Sequence, residues 1–346
     1  MNMGTCLQCL HPTITRTTLR QFHRIALAMV VMTGRVTMLG LSRWAGSGGS
    51  YRTVQRFFAT VIPWATRLWV FFRPQVYRPG EVYLVAGDEV VATKAGKHPQ
   101  GLDRFFSSLY GKPVPGRAFF TLSLVRVQHR RSLPLGVEQG VRSDAEKAAS
   151  KAKAAARKPP GPGTTRRPGR PKGSTNHRKV PVMLPPELGR IQTMLTALLQ
   201  LIMAGLSVTY LGLDGHFGHH NALDMARPCG VHLIAKLRCA AALSLPYTGA
   251  YTGRGPRRKD GHTIDDDHLP GQYRTETTGE GHIQTCISQA HLLHKACQHP
   301  LQVVLIAQTN LRTLSRAHIV LLSRELELAY TALVDYYGLR CHSEVV

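Results

Sequence analysis

The sequence predicts an α/β protein built on a mixed sheet, and two short stretches carry that prediction. Glu81 to Glu89, EVYLVAGDE, is an apolar run that suits a central strand buried on both faces, and it delivers Asp88 at its end. Val208 to Asp214, VTYLGLD, repeats the arrangement and ends in a second carboxylate followed by Gly215. If the two strands are neighbours, Asp88 and Asp214 lie a few ångströms apart. Like charges that close are costly unless a proton or a cation sits between them. Hard divalent ions with oxygen ligands answer that need, and a third carboxylate would complete a site for two of them. The plainer alternative is that both aspartates only start turns or cap helices.

Composition narrows the partner. In 346 residues, 44 Lys and Arg stand against 20 Asp and Glu, a formal net charge of +24 that points to a polyanion. The length allows a sizeable core and more than one domain. Seven cysteines without regular spacing, and no leader peptide, fit the reducing interior of a cell. The expected location is therefore the cytoplasm.

Residues 1–76 read as helical. Thr18 to Met32 places Leu19, Phe22, Ile25, Ala26, Met29 and Val30 on one face. The glycine-rich break Ala45 to Ser50 separates Met38–Trp44 from Tyr51–Thr60, which gives a helix, a turn and a basic helix. Arg52 and Arg56 share a face there, as DNA-contacting residues would, with Val54, Phe57 and Phe58 packing inward. A helical packing unit with solvated arginines is the other reading. Cys6, Cys9 and His11 lack the second ligand pair that a structural zinc site needs.

After Asp88 the segment Thr93 to Gly116 reads as a loop, and Phe119–Val127 and Leu133–Glu138 as a hairpin beside the first strand. Three strands in meander, then a helix and a further strand, open the ribonuclease H-like fold. Residues 77–140 and 181–238 would form that core. Between its halves, residues 141–180 read as a disordered linker, because Lys147–Lys179 holds 11 basic residues, no acidic one and five prolines. Within it RRPGRPKG, with Arg166, Arg167, Arg170 and Lys172, resembles an AT-hook, an extended peptide for the A·T-rich minor groove.

Glu187–Gly205 follows as an amphipathic helix. The uncharged stretch from Ile191 to Leu213 is no membrane span, since Gly205 interrupts it and Gln192, Thr193, Thr196 and Gln200 form a polar face. His216, His219 and His220 offer ring nitrogens to a metal or phosphate, though a histidine cluster at a helix start is commonly unspecific. Val231–Leu237 is a strand, and residues 239–300 read as a β-rich insertion with a helical period only at Ile287–Ala296. In the return to the core, 301–346, Leu301–Ala307 and His318–Leu322 are strands and Glu325–Leu339 a helix.

Tyr337, Arg340 and Glu344 stand as Tyr, two residues, Arg, three residues, Glu, on one helical face. With GDEVVATKAGKHPQGLDRFFSS around Asp88, LGLDGHFGHHNALD around Asp214, AKLRCAAALSLPYTGAYTGRGPRRKDG and LAYTALVDYYGLR, this resembles the Asp-Asp-Glu transposases of bacterial insertion sequences, of the family 4 and family 701 type. The resemblance covers the chain from about residue 20. It implies Asp88, Asp214 and Glu344 as a catalytic triad holding two Mg²⁺ ions, with Mn²⁺ as a substitute. It further implies Tyr337 and Arg340 on transposon-end phosphates, double-stranded DNA as substrate and a homodimer on that DNA. The family continues with a lysine six residues after the glutamate, where this chain has ended, and its tryptophan in the insertion has no counterpart. A shortened chain of impaired activity, or a remnant that only binds DNA, is therefore also expected.

Replacing Arg170 by Ala is expected to weaken binding selectively on A·T-rich duplex, measured against a G·C-rich duplex at fixed salt. Equal losses on both would reduce the segment to a polybasic tether.

Overall fold

The computed structural model describes residues 7–94, 101–156, 184–203, 205–237, 242–251, 253, 258–264, 269–294, 297 and 299–340. Four helices open the chain: α1 (Arg16–Val31), α2 (Met38–Trp44), α3 (Tyr51–Ala59) and α4 (Trp64–Val76). The first three begin at hydroxyl caps, with Thr15 accepting from the amide of Thr18, Thr37 from Gly40 and Ser50 from Thr53. They enclose a small core of their own made by Ile25, Ala28, Leu41, Ala45, Val54 and Phe57. Phe58 does not join it as expected; one position beyond Phe57 it turns outward and stays 47% exposed. Arg52 and Arg56 share the exposed face of α3. Helix α4 ties this unit to the rest through Trp69, which is buried in the main core.

The strands and the remaining helices run β1 (Tyr83–Thr93), β2 (Asp103–Ser107), β3 (Lys112–Arg126), β4 (Arg131–Gly140), α5 (Asp144–Ala156), α6 (Pro186–Ile202), β5 (Tyr210–Leu213), α7 (His220–Ala226), β6 (His232–Lys236), β7 (Leu243–Pro246), β8 (Asp260–Ile264), β9 (Arg274–Glu280), β10 (Ile283–His294), β11 (Leu301–Asn310), β12 (Arg316–Ser323) and α8 (Tyr330–Arg340). They form a mixed α/β architecture around one large sheet. Its order is β2, β3, β1, β5, β6, β12, β11, β10, β7, β8, with β4 on β3 and β9 on β10. Strands β1, β3 and β4 are an antiparallel meander, and β5 and β6 add in parallel beside β1. Each crossover into the parallel part carries a helix, α6 before β5 and α7 before β6.

Both faces of the sheet are covered. On one side Val85, Leu122, Leu124, Leu211 and Leu213 pack against Leu195, Leu199 and Ile202 of α6. On the other, Leu84, Ala86 and Val125 meet Leu339 of α8, and Ile234, Val304 and Leu321 meet Leu333. Strand alternation thus assigns even positions of β1 to the α8 side and odd positions to the α6 side.

Four expectations are corrected. Residues 93–116 are not one loop, because β2 pairs with the first part of β3 and the two bury Phe105 and Val114. Residues 144–156, placed in a disordered linker, form α5: Ser143 and Glu146 make a reciprocal capping box, and the alanine-rich run that follows favours helix over coil. Residues 157–183, with Arg166, Arg167, Arg170 and Lys172, lie outside the described residues. Of the expected helix Ile287–Ala296, the described part to His294 is strand; Ala290 and Leu292 are buried at a two-residue spacing in β10, which is hydrogen-bonded along most of its length to β11. The last helix starts at Tyr330 rather than Glu325, since the preceding turn is held from outside by Gln302 Nε2, donating to the Leu328 carbonyl at 2.9 Å. No described helix is long and apolar enough to cross a membrane.

Gly87, just before Asp88, sits where a Cβ would lie 2.6 Å from Leu213 Cδ2 and 2.8 Å from Phe120 Cζ. Gly87→Ala is therefore expected to destabilise the protein by about 1–3 kcal/mol through overpacking, read as a lower urea midpoint. An unchanged midpoint would mean that β1 and β5 separate easily at this level.

Candidate active site

The two aspartates are carried by neighbouring strands. Parallel pairing of β1 with β5 aligns Leu84 with Tyr210, Val85 with Leu211 and Ala86 with Gly212. The pairing ends there, two residues before Asp88 and Asp214. Asp88 occupies an even position and belongs to the α8 side, where Arg340 reaches it with Nη1 at 3.5 Å from Oδ1. Both side chains are largely sequestered, at 11% and 14% exposure, so this contact is screened less than a surface ion pair. Arg340 also lies over the Tyr337 ring, 5.5 Å from its centroid. The i, i+3 spacing thus brings Tyr337 and Arg340 to the sheet side of α8. Glu344, one turn further along the sequence, lies outside the described residues.

Asp214 follows the last residue of β5, and its Oδ1 accepts the amide of His216 at 2.7 Å, capping the 3-10 turn Gly215–Phe217. The capping reading therefore describes this residue. That turn approaches β6 closely, since a Cβ on Gly218 would fall on the Lys236 carbonyl.

Helix α8 is held across the sheet at several points. Arg130, in the β3–β4 turn with φ of 49°, donates to Asp335 at 2.8 Å. Tyr210 of β5 donates its hydroxyl to Glu325 at 2.6 Å and packs on Tyr336, their ring centroids 5.1 Å apart. Burial first, and then donation to the Glu325 carboxylate, push the Tyr210 hydroxyl well above the ordinary phenol range. Tyr210 is consequently a fixed donor that orients the segment leading into α8.

A second acidic group escaped the sequence reading. On the α6 side, Glu89, Glu187, His216 and Asp214 border a cleft of about 1060 Å³ together with Arg142 and Arg190. Burial, reinforced by the neighbouring Glu187, raises the Glu89 carboxyl above its usual range. Glu187 moves the other way, lowered chiefly by its hydrogen bond to His216, whose Nε2 lies 3.6 Å from Oε1. Glu89 follows Asp88 directly, and only strand alternation, which sends the two carboxylates to opposite faces, separates their roles.

Among the described residues, no group of three or more His, Cys, Asp and Glu side chains could by itself hold a metal ion. His216, His219 and His220 therefore do not converge as ligands: His216 pairs with Glu187, and His219 leads into α7. Of the Cys6 and Cys9 pair, Cys6 lies outside the described residues. For a hard divalent cation the carboxylates of Asp88 and Asp214, carried by adjacent strands, are chemically suited donors.

Against this fold and paired-aspartate geometry, the family model of the DDE superfamily endonucleases matches residues 9–291. The match spans well over half of the chain, both aspartates included, and the chain belongs to that family. No curated protein matches it. The assignment makes the molecule a DDE-type nuclease by descent and DNA the substrate that goes with it.

The lowered Glu187 carboxyl has a consequence for stability. Its pairing with His216 contributes fully above the ordinary glutamate value of 4.5 and is lost as pH falls through the depressed folded value. Glu187→Gln is expected to flatten the acid limb of the stability curve below that value. The loss at neutral pH should stay under about 1 kcal/mol, because both partners are half exposed. An acid limb identical to that of the parent protein in denaturant titrations would contradict this.

Proposed function

We propose that this protein is a transposase of the insertion-sequence family 4 and 701 type, which cuts and joins DNA at the ends of its element. The observation that supports the reading is the parallel pairing of β1 with β5, whose register carried past Ala86 and Gly212 would bring Asp88 level with Asp214, together with Arg340 of α8 beside Asp88. Strand order supports a ribonuclease H-like core: an antiparallel meander, a helix, and two parallel strands beside the first. Residues 77–140 and 181–238 would be that core, residues 239–300 its insertion and residues 301–346 the return. Helices α1 to α3, with Arg52 and Arg56 exposed, would form a helix-turn-helix DNA-binding unit. Arg166, Arg167, Arg170 and Lys172 would add a minor-groove contact, and the working form on DNA would be a homodimer.

In this reading Asp88, Asp214 and Glu344 would hold two Mg²⁺ ions, for which Mn²⁺ would substitute. Such ions would supply Lewis acidity for an attacking oxygen and for the charge that develops on the phosphoryl group. The chain's own residues set the geometry. The β1–β5 register would set the separation of the two carboxylates, and Arg340 lies beside Asp88 on the α8 side. Through the His216 amide, the turn after β5 restrains one oxygen of Asp214. Tyr337 and Arg340, stacked together on α8, are suited to carry a DNA phosphate towards Asp88.

Asp88→Asn and Asp214→Asn are each expected to abolish Mg²⁺-dependent cleavage of a plasmid bearing the gene with its native flanks. Duplex affinity in a gel-shift titration should change less than about threefold, because neither residue supplies a cation. Cleavage retained by either variant would overturn the carboxylate assignment.

A further inference from the structure

Strand β1 does not stop at Asp88. It continues to Thr93, and with β3 and β2 it makes a three-stranded extension of the sheet past the carboxylate level. Asp88 pairs with Thr121, and the hairpin turn begins at Lys112, nine residues away along β3. At strand rise the extension reaches about 30 Å beyond the paired aspartates.

Its two faces differ. Phe105 and Val114 are buried on the α6 side, where Phe105 carries the Arg142 guanidinium 4.7 Å from its ring centroid. Alternation places Val90, Arg104, Phe106 and Arg117 on the other side, the side of Asp88. Val90 is 51% exposed and Phe106 64%, and at the hairpin tip Leu109 and Tyr110 are 84% and 53% exposed. Phe106, on an edge strand, also reaches the rim of the acidic cleft.

Between residues 101 and 117 three cations, Arg104, Lys112 and Arg117, stand against one carboxylate, Asp103. Arg142 already pairs with that carboxylate at 3.6 Å. Arg104 is braced across the hairpin by donating to the Pro113 carbonyl at 3.0 Å while remaining exposed. The Nε of Arg117 is buried and makes no hydrogen bond to any described residue. Exposed apolar side chains beside the Arg104 and Arg117 guanidiniums, on the face of Asp88, suit a duplex whose phosphates lie on the arginines and whose sugars and groove edges lie on Phe106.

We propose that this extension is a DNA-tracking arm: Arg104 and Arg117 hold the backbone beside the scissile phosphate, and Phe106, Leu109 and Tyr110 pack against the groove. The inference rests on DNA being the substrate. At 3.4 Å per base pair the arm would cover about nine base pairs to one side of the cut. A second copy of the chain is a poorer occupant, since a face with this excess of fixed cations repels its own duplicate.

The test is photocrosslinking with the full-length chain. A p-benzoylphenylalanine in place of Phe106, mixed with a mixed-sequence duplex of roughly 40 base pairs, longer than the arm's reach, should give a protein–DNA adduct. The same photophore in place of Leu314, exposed in the β11–β12 turn, should give at least about fivefold less. Arg104→Gln should make the slope of log affinity against log salt shallower by about one. A chain that shifts the duplex but yields no adduct from position 106, or an equal one from position 314, overturns the arm and leaves the proposed function standing. A chain that does not shift the duplex even at low salt overturns both.

Discussion

Parallel hydrogen bonding between β1 and β5 is the constraint on which the rest of this protein depends. Only a few aligned residues make the contact, Leu84 with Tyr210 through Ala86 with Gly212, yet they decide which groups meet at the strand ends. A slip of one residue would send every side chain of one strand to the opposite face and part the two aspartates. The register is secured from both sides. Val85 and Leu211 are fully buried against the α6 layer, while Leu84 and Ala86 are sealed by Leu339. Gly87 adds a restraint of its own, because there is no room for a larger residue between Leu213 and Phe120.

Charge is organised around the same junction. Carboxylates gathered on neighbouring strands repel one another, and the fold answers with one basic side chain on each side of the sheet. Arg340 faces Asp88 from α8, and His216 faces Glu187 beside Asp214. Glu89 is left on the less favourable side of this balance, its carboxyl raised by partial desolvation and by the neighbouring Glu187. Descent from the DDE endonucleases accounts for why acidic side chains are concentrated here in a chain with so large an excess of base.

Much of this was legible in the sequence, and the exceptions have physical reasons. Buried runs such as YLVAGD and YLGLD announce themselves because a strand covered on both faces needs unbroken apolar character. The stripes of α1 and α6 announce themselves through their helical period. The arm was missed because β2 is an edge strand with one buried face and a glycine- and lysine-rich approach, which reads as loop. Helix α5 was missed because net basic charge outweighed its alanines and its capping box. β10 contains ISQAHLLH, where apolar spacing alone serves helix or strand equally, and only pairing with β11 decides. The acidic cluster at Glu89 and Glu187 depends on bringing the start of α6 to the end of β1, a long-range contact that no local pattern records.

Hydrogen bonding along β10 and β11 is continuous over ten residue pairs, from Ile283 with Asn310 to Leu292 with Leu301. β11 in turn pairs with β12, and β12 with β6 of the parallel part. The strands of the segment 239–300 therefore do not form a separate body joined by a hinge. Their backbone ladder is the same one that positions the aspartates. Unfolding would then be expected to propagate across the whole sheet as one cooperative unit, and a displacement forced on the distal strands would reach the carboxylates as a change of sheet twist rather than as a swing of a domain.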